Sequence, residues 1–175
     1  MAGILICGLN GAGKSTLGKA LAQSLNYCFI DNEDLYFPKT DPHYTYAAPR
    51  AREEVERLLL REIDAHPDFV FASVKGDYGK KVLSCFQFAV LIDVPKEIRM
   101  QRVKNRSFQK FGKRMLPGGD LYEREKSFFT TVQSRAENMV EEWAQTLDCP
   151  IIRVDGTRPI EENVMCILEQ MLLHR

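Results

Sequence analysis

The stretch Gly8-Leu9-Asn10-Gly11-Ala12-Gly13-Lys14-Ser15 fits the pattern G-x-x-x-x-G-K-[ST]. It follows the apolar run Gly3 to Cys7 and opens a segment, Lys14 to Asn26, in which Leu17, Leu21 and Leu25 recur at helical spacing. Strand, glycine-rich turn and helix in that order form an anion cradle. The glycines let the backbone turn tightly, and the N–H groups at the helix start point at negative charge. Gly8, Asn10, Gly11, Ala12 and Gly13 are therefore expected to wrap the phosphates of a nucleotide. Lys14 is expected to reach the β- and γ-phosphates, Ser15 to ligate Mg²⁺ and Thr16 to bond the α-phosphate.

Outward from this loop, short apolar runs alternate with longer segments of helical period, which predicts an α/β fold with a five-stranded parallel sheet covered on both faces. The expected strands are Gly3 to Cys7, Tyr27 to Asp31, Phe69 to Val74, Ala89 to Val94 and Ile151 to Val154. The expected helices are Lys14 to Asn26, Pro49 to Ala65, Lys96 to Arg106, Tyr122 to Leu147 and Pro159 to Leu173. Leu35 to Tyr46 and Ser107 to Asp120 fit neither period and read as loops. Loops of this length serve as binding loops or lids, so a substrate-binding region is expected near 32–65 and a small mobile lid near 107–121.

The chain has 175 residues, 45% hydrophobic and 27% charged, the size and composition of one water-soluble domain. Its formal net charge of +0 lacks the basic excess of a general nucleic-acid binder. Five cysteines without a CxxC pair suit reduced thiols in the cytoplasm. No run approaches membrane-spanning length, and the N-terminus lacks the charged start of a signal peptide. Oligomeric state is left open.

Two charged clusters suggest chemistry. Asp31, Glu33 and Asp34 follow the second strand at the sheet edge where ligands bind in open α/β proteins. Glu33 is suited to take a proton from an attacking hydroxyl and Asp31 to hold the water shell of Mg²⁺; a solvated turn capping a short helix is the alternative. Arg99, Arg102, Lys104, Arg106, Lys110, Lys113 and Arg114 follow with no acidic residue between them. Swung over a triphosphate, such cations stabilise the transferring group; a solvated face is the alternative.

With these motifs the chain resembles the nucleoside-monophosphate-kinase-like group of P-loop kinases, which includes adenylate, shikimate and gluconate kinases. Gly8 to Gly18 is similar to the family's opening, and Phe29-Ile30-Asp31-Asn32-Glu33-Asp34-Leu35 resembles the acidic substrate motif of its shikimate and gluconate branch, with Glu33 where an aspartate is usual. Val94 to Ile98 with Arg102 and Arg106 looks like the segment that stacks on adenine and grips phosphates. Val154 to Pro159, with Arg158, is similar to the adenine-contacting loop. The resemblance implies Mg-ATP as donor, a small metabolite or nucleoside as acceptor, and Lys14, Asp31, Glu33 and Arg106 as the catalytic set. The adenylate-kinase Asp-Gly-Phe-Pro-Arg element is absent, which disfavours a nucleoside monophosphate. Ser73 to Tyr78 stands there instead, and Lys75 and Asp77 become generic substrate candidates beside Asp34. A regulatory nucleotide-binding ATPase is the alternative from another class; the guanine-reading Asn-Lys-x-Asp motif is missing.

Overall fold

The computed structural model describes residues 2–174. Five strands, β1 (Ala2–Cys7), β2 (Cys28–Asp31), β3 (Asp68–Ser73), β4 (Phe86–Asp93) and β5 (Ile151–Asp155), form one sheet in the order β2-β3-β1-β4-β5. Every pairing is parallel. β1 lies at the centre, with Leu5 opposite Phe71 on one side and Ala89 on the other.

Burial of both faces explains the continuous apolar runs. On β1, Ile4 and Ile6 pack with Leu17 and Leu21 of α1 (Lys14–Leu25) and with the C-terminal helix, while Leu5 and Cys7 meet Val55, Leu59 and Ile63 on the opposite face. Strand periodicity thus assigns alternate side chains to two separate cores. Full burial of side chains such as Ile4, Leu5 and Ile6 contributes about 1.5–3 kcal/mol each.

The remaining helices are α2 (Asn32–Tyr36), α3 (Arg52–Ala65), α4 (Lys80–Leu83), α5 (Lys96–Phe111), α6 (Tyr122–Ser134), α7 (Met139–Ala144) and α8 (Ile160–Leu173). Four differences from the sequence expectation have physical reasons. α5 does not stop at Arg106, because Val103, Ser107 and Phe111 continue its buried stripe until Gly112, at φ 56°, ends it. The first part of the expected lid is therefore helix, followed by a 3₁₀ turn at Gly112–Met115. The expected helix from Tyr122 to Leu147 is two helices. Arg135, extended at φ −65° and ψ 133°, turns the chain toward the glycine-rich loop, and Val132 and Val140 remain buried on either side of the break. α2 is the short helix of the alternative reading of the acidic turn, capped by Asp31, whose Oδ1 accepts the Glu33 N–H at 3.0 Å, and it takes in Leu35 and Tyr36 of the expected loop. β4 begins at Phe86, earlier than expected, because Phe86 and Phe88 are both buried, a register irregularity opposite Gly3 and Ile4 placing them in opposite cores.

Among the described residues no helix is long and apolar enough to cross a membrane. Phe71 is fully buried and stacks on Phe86 with ring centroids 6.3 Å apart. Phe71→Ala is expected to lower stability by about 3–5 kcal/mol, read as a shifted midpoint in denaturant unfolding.

Candidate active site

Because β3 and β4 flank β1, the chain leaves the carboxyl end of β1 at the point where strand order reverses, so the loop opens into a crevice. Gly13 precedes α1 and offers no side chain to cap it, so the first-turn N–H groups remain available to a phosphate. Arg99 braces the loop from beneath. It is 3% exposed, its Nε donates to the Val94 carbonyl at 3.0 Å and its Nη2 pairs with Glu137. At Gly11 (φ 83°) a β-carbon would stand 2.3 Å from the Arg99 carbonyl oxygen, so only glycine fits this contact.

Three adjoining cavities run along the loop. The first, about 500 Å³, is lined by Ala12, Gly13, Thr16, Arg102 and the β5–α8 turn including Arg158. Arg102 spans its mouth, donating to the Gly156 carbonyl at 3.0 Å and to the Gly11 carbonyl at 3.4 Å. The second, about 210 Å³, is bounded by Gly11, Gly13, Lys14, Ser15, Thr16, Arg102 and Arg106. The third, about 490 Å³, shares Gly11, Lys14, Ser15 and Arg106 with the second and extends to Asn10, Asp31, Glu33, Lys75 and Arg135. Shared walls make the three a single trough.

Most of the residues singled out in the sequence thus converge on the trough, but three do not. Asp34 is exposed and pairs with Lys39, and Asp77 pairs with Arg52 at 3.3 Å; neither lines the third cavity. Gly8 faces a separate cavity behind the loop, beside Arg99 and Asp93. The cationic cluster also divides: Arg99 braces, Arg102 and Arg106 face the trough, and Arg114 binds Asp120. Arg135 was not foreseen. Its Nη1 donates to Asn10 Oδ1 at 2.6 Å across 125 positions of sequence, and the only sign in the sequence was the excessive length of the helix that it interrupts.

The electrostatics are asymmetric. Lys14 donates to the Leu9 carbonyl at 3.1 Å; desolvation first, and then the positive charge of Arg106, push its ammonium down to about 8. Burial also lowers Arg135 from its ordinary range. Glu33 is the carboxylate with cations around it, 3.9 Å from Arg106 and 3.9 Å from Lys110, and it accepts the Tyr46 hydroxyl at 3.1 Å.

A parallel sheet that brings such a loop to its switch point, between a cationic helix and an acidic turn, is a P-loop nucleotide-binding architecture, and its fold is that of solved shikimate kinases. Residues 4–116 match the AAA domain family, and the chain belongs to it. It is 26% identical over 176 residues to the uncharacterized protein YqaC of Bacillus subtilis, covering 96% of both chains. It is 26% identical to a shikimate kinase of Francisella tularensis subsp. novicida, covering 96% of this chain and 78% of that one. Three other relatives with shikimate kinase in their names are matched over less than two thirds of their own length. The crystal structure of shikimate kinase from Bacteroides thetaiotaomicron shares the fold, with a TM-score of 0.60, 17% identity, and coverage of 97% of this chain and 98% of that one.

The depressed Lys14 gives a test with a definite sign. Negative phosphates favour the charged ammonium, so if ATP occupies the loop, its binding is expected to raise Lys14 above its free value of about 8. Between those two values binding takes up a proton, and well below pH 8 it does not. Calorimetry near pH 8.5–9, in buffers of different ionisation enthalpy, is expected to show this uptake in the wild type and to lose it in Lys14→Met.

Proposed function

We propose that this chain transfers the γ-phosphoryl group of Mg-ATP to a hydroxyl of a small acceptor held between Lys14 and Glu33. The observation that carries the proposal is the shared wall: Lys14, Ser15 and Arg106 border both the phosphate cradle and the cavity that contains Glu33. A donor phosphate and an acceptor hydroxyl on either side of those residues would meet in line.

The first cavity suits the adenine and ribose, with Arg102 and Arg158 beside them. The helix N-terminus, Lys14 and Arg106 supply charge that strengthens as the γ-phosphoryl separates. Glu33 orients the acceptor hydroxyl and takes its proton. Mg²⁺ fits the residues present, since Ser15 and Asp31 line one cavity with Lys14 and a hard cation bound to phosphates needs few protein oxygens. When bound it would be held by Ser15 and, through water, by Asp31, and would neutralise the β- and γ-oxygens. Among the described residues no group of three His, Cys, Asp or Glu side chains forms a dedicated metal cage.

The acceptor side carries Lys75, Arg106 and Arg135 against the single facing carboxylates of Asp31 and Glu33, with Tyr36, Phe37 and Phe128 as walls. That balance favours an acceptor with an acidic group as well as a hydroxyl, which is also the chemistry of shikimate, the substrate in the Francisella relative's name.

ADP release measured against shikimate, gluconate, other sugar acids, sugars, nucleosides and nucleoside monophosphates tests the class. A hydroxylated acid is expected to raise the rate well above the water background; silence across the panel would remove the proposal. With the accepted compound, Glu33→Gln is expected to cut kcat about 10²-fold or more while ATP affinity holds, because it removes a base and no donor contact. Lys14→Ala is expected to weaken both ATP binding and turnover.

A further inference from the structure

Glu33 is gripped from behind by two residues that do not line the acceptor cavity. The Tyr46 hydroxyl donates to Glu33 Oε1 at 3.1 Å and itself accepts from Lys110 Nζ at 2.9 Å. The same ammonium lies 3.9 Å from Oε1 and 4.3 Å from the centroid of the Tyr46 ring. Three contacts therefore seat Lys110 on one side of the carboxylate. The other oxygen, Oε2, has Arg106 at 3.9 Å, and Glu33 and Arg106 both face the cavity whereas Tyr46 and Lys110 do not.

A glutamate has one more rotatable bond than an aspartate, and fixing it costs entropy that a base held in one direction must recover from its contacts. Tyr46 is well placed to provide them, because its own ring is fixed. It packs edge-on against Phe37 at 4.9 Å and Tyr44 at 5.7 Å and lies 6.2 Å from Phe111. The loop that carries it is tied down by the Tyr44 hydroxyl on Glu125 at 2.9 Å and by Arg114 on the His43 carbonyl at 2.8 Å. Desolvation lowers the Lys110 ammonium from its ordinary range, and the charge of Glu33 opposes that shift.

We infer that Tyr46 and Lys110 are positioning residues for phosphoryl transfer, holding Glu33 Oε1 so that Oε2 is the oxygen presented to the acceptor hydroxyl. Arg106, which borders the phosphate cradle as well, leaves Oε2 as it turns to the donor phosphates. The inference rests on the role proposed above for Glu33.

The test compares the full-length wild type with Tyr46→Phe, Lys110→Met, Lys110→Arg, Glu33→Gln and the Glu33→Gln/Tyr46→Phe pair, using Mg-ATP and the compound accepted in the panel. Tyr46→Phe keeps the packed ring and removes only the hydroxyl. It and Lys110→Met are expected to lower kcat roughly 10- to 100-fold with the KM for ATP unchanged. Lys110→Arg is expected to recover part of that loss, and Tyr46→Phe to cost nothing further once Glu33 is Gln. Wild-type kcat in Tyr46→Phe, or an undiminished loss on top of Glu33→Gln, would overturn the inference while leaving the kinase proposal intact. Full turnover by Glu33→Gln would instead remove the base and its clamp together. Crystal structures of the wild type and Tyr46→Phe address the same point without turnover. One Glu33 rotamer in the wild type and several in the variant are expected, and one identical rotamer in both would contradict the clamp.

Discussion

Arg99 beneath the phosphate loop is the contact on which the rest of the site depends. Its carbonyl oxygen fills the place a β-carbon would take at Gly11, while its guanidinium reaches the carbonyls of Val94 and Asn10 and the carboxylate of Glu137. A loop that leaves its N–H groups open to an anion closes few hydrogen bonds with itself, here Ala12 N–H to the Leu9 carbonyl at 3.1 Å, so most of its shape has to be imposed from outside. Arg99 does this from the first turns of α5, the helix that also carries Arg102, Arg106 and Lys110 on successive turns. Loop shape and the placement of Arg102 and Arg106 are thereby set by one element.

The buried sheet supplies the other half of that rigidity. β1 is paired on both edges and covered on both faces, so the loop springs from the stiffest part of the molecule. The acidic turn follows β2, with β3 lying between β2 and β1, and Asp31 is fixed there as the cap of α2. Glu33, two residues further on, meets α5 across the crevice. The glycine-rich loop and the acidic turn thus face each other because α5 reaches both, through Arg102 and Arg106.

The parts of this arrangement that could be read from the sequence were those encoded locally. Gly8 to Ser15 is legible because the demands on a phosphate cradle fall on eight consecutive residues, and the strands are legible because burial on both faces leaves unbroken apolar runs. The break at Arg135 was not, since Tyr122 to Leu147 read as one helix and the Asn10 side chain that Arg135 reaches lies far away in the chain. Tyr46 was visible only as one of several aromatic residues in a loop; that it bonds Glu33 rather than packing alone depends on where α5 continues past Arg106. Asp34 and Asp77 carried the right chemistry in the right segments, but each faces a surface cation instead of the cavity.

In the proposed reaction phosphate leaves ATP for a hydroxyl seated beside Glu33. Phosphorus-31 NMR follows that atom directly in a mixture of enzyme, Mg-ATP and a hydroxylated acid. The γ-phosphate resonance is expected to be replaced by that of a phosphoester of the acid. Replacement by inorganic phosphate alone, at a rate indifferent to every acceptor offered, would contradict it.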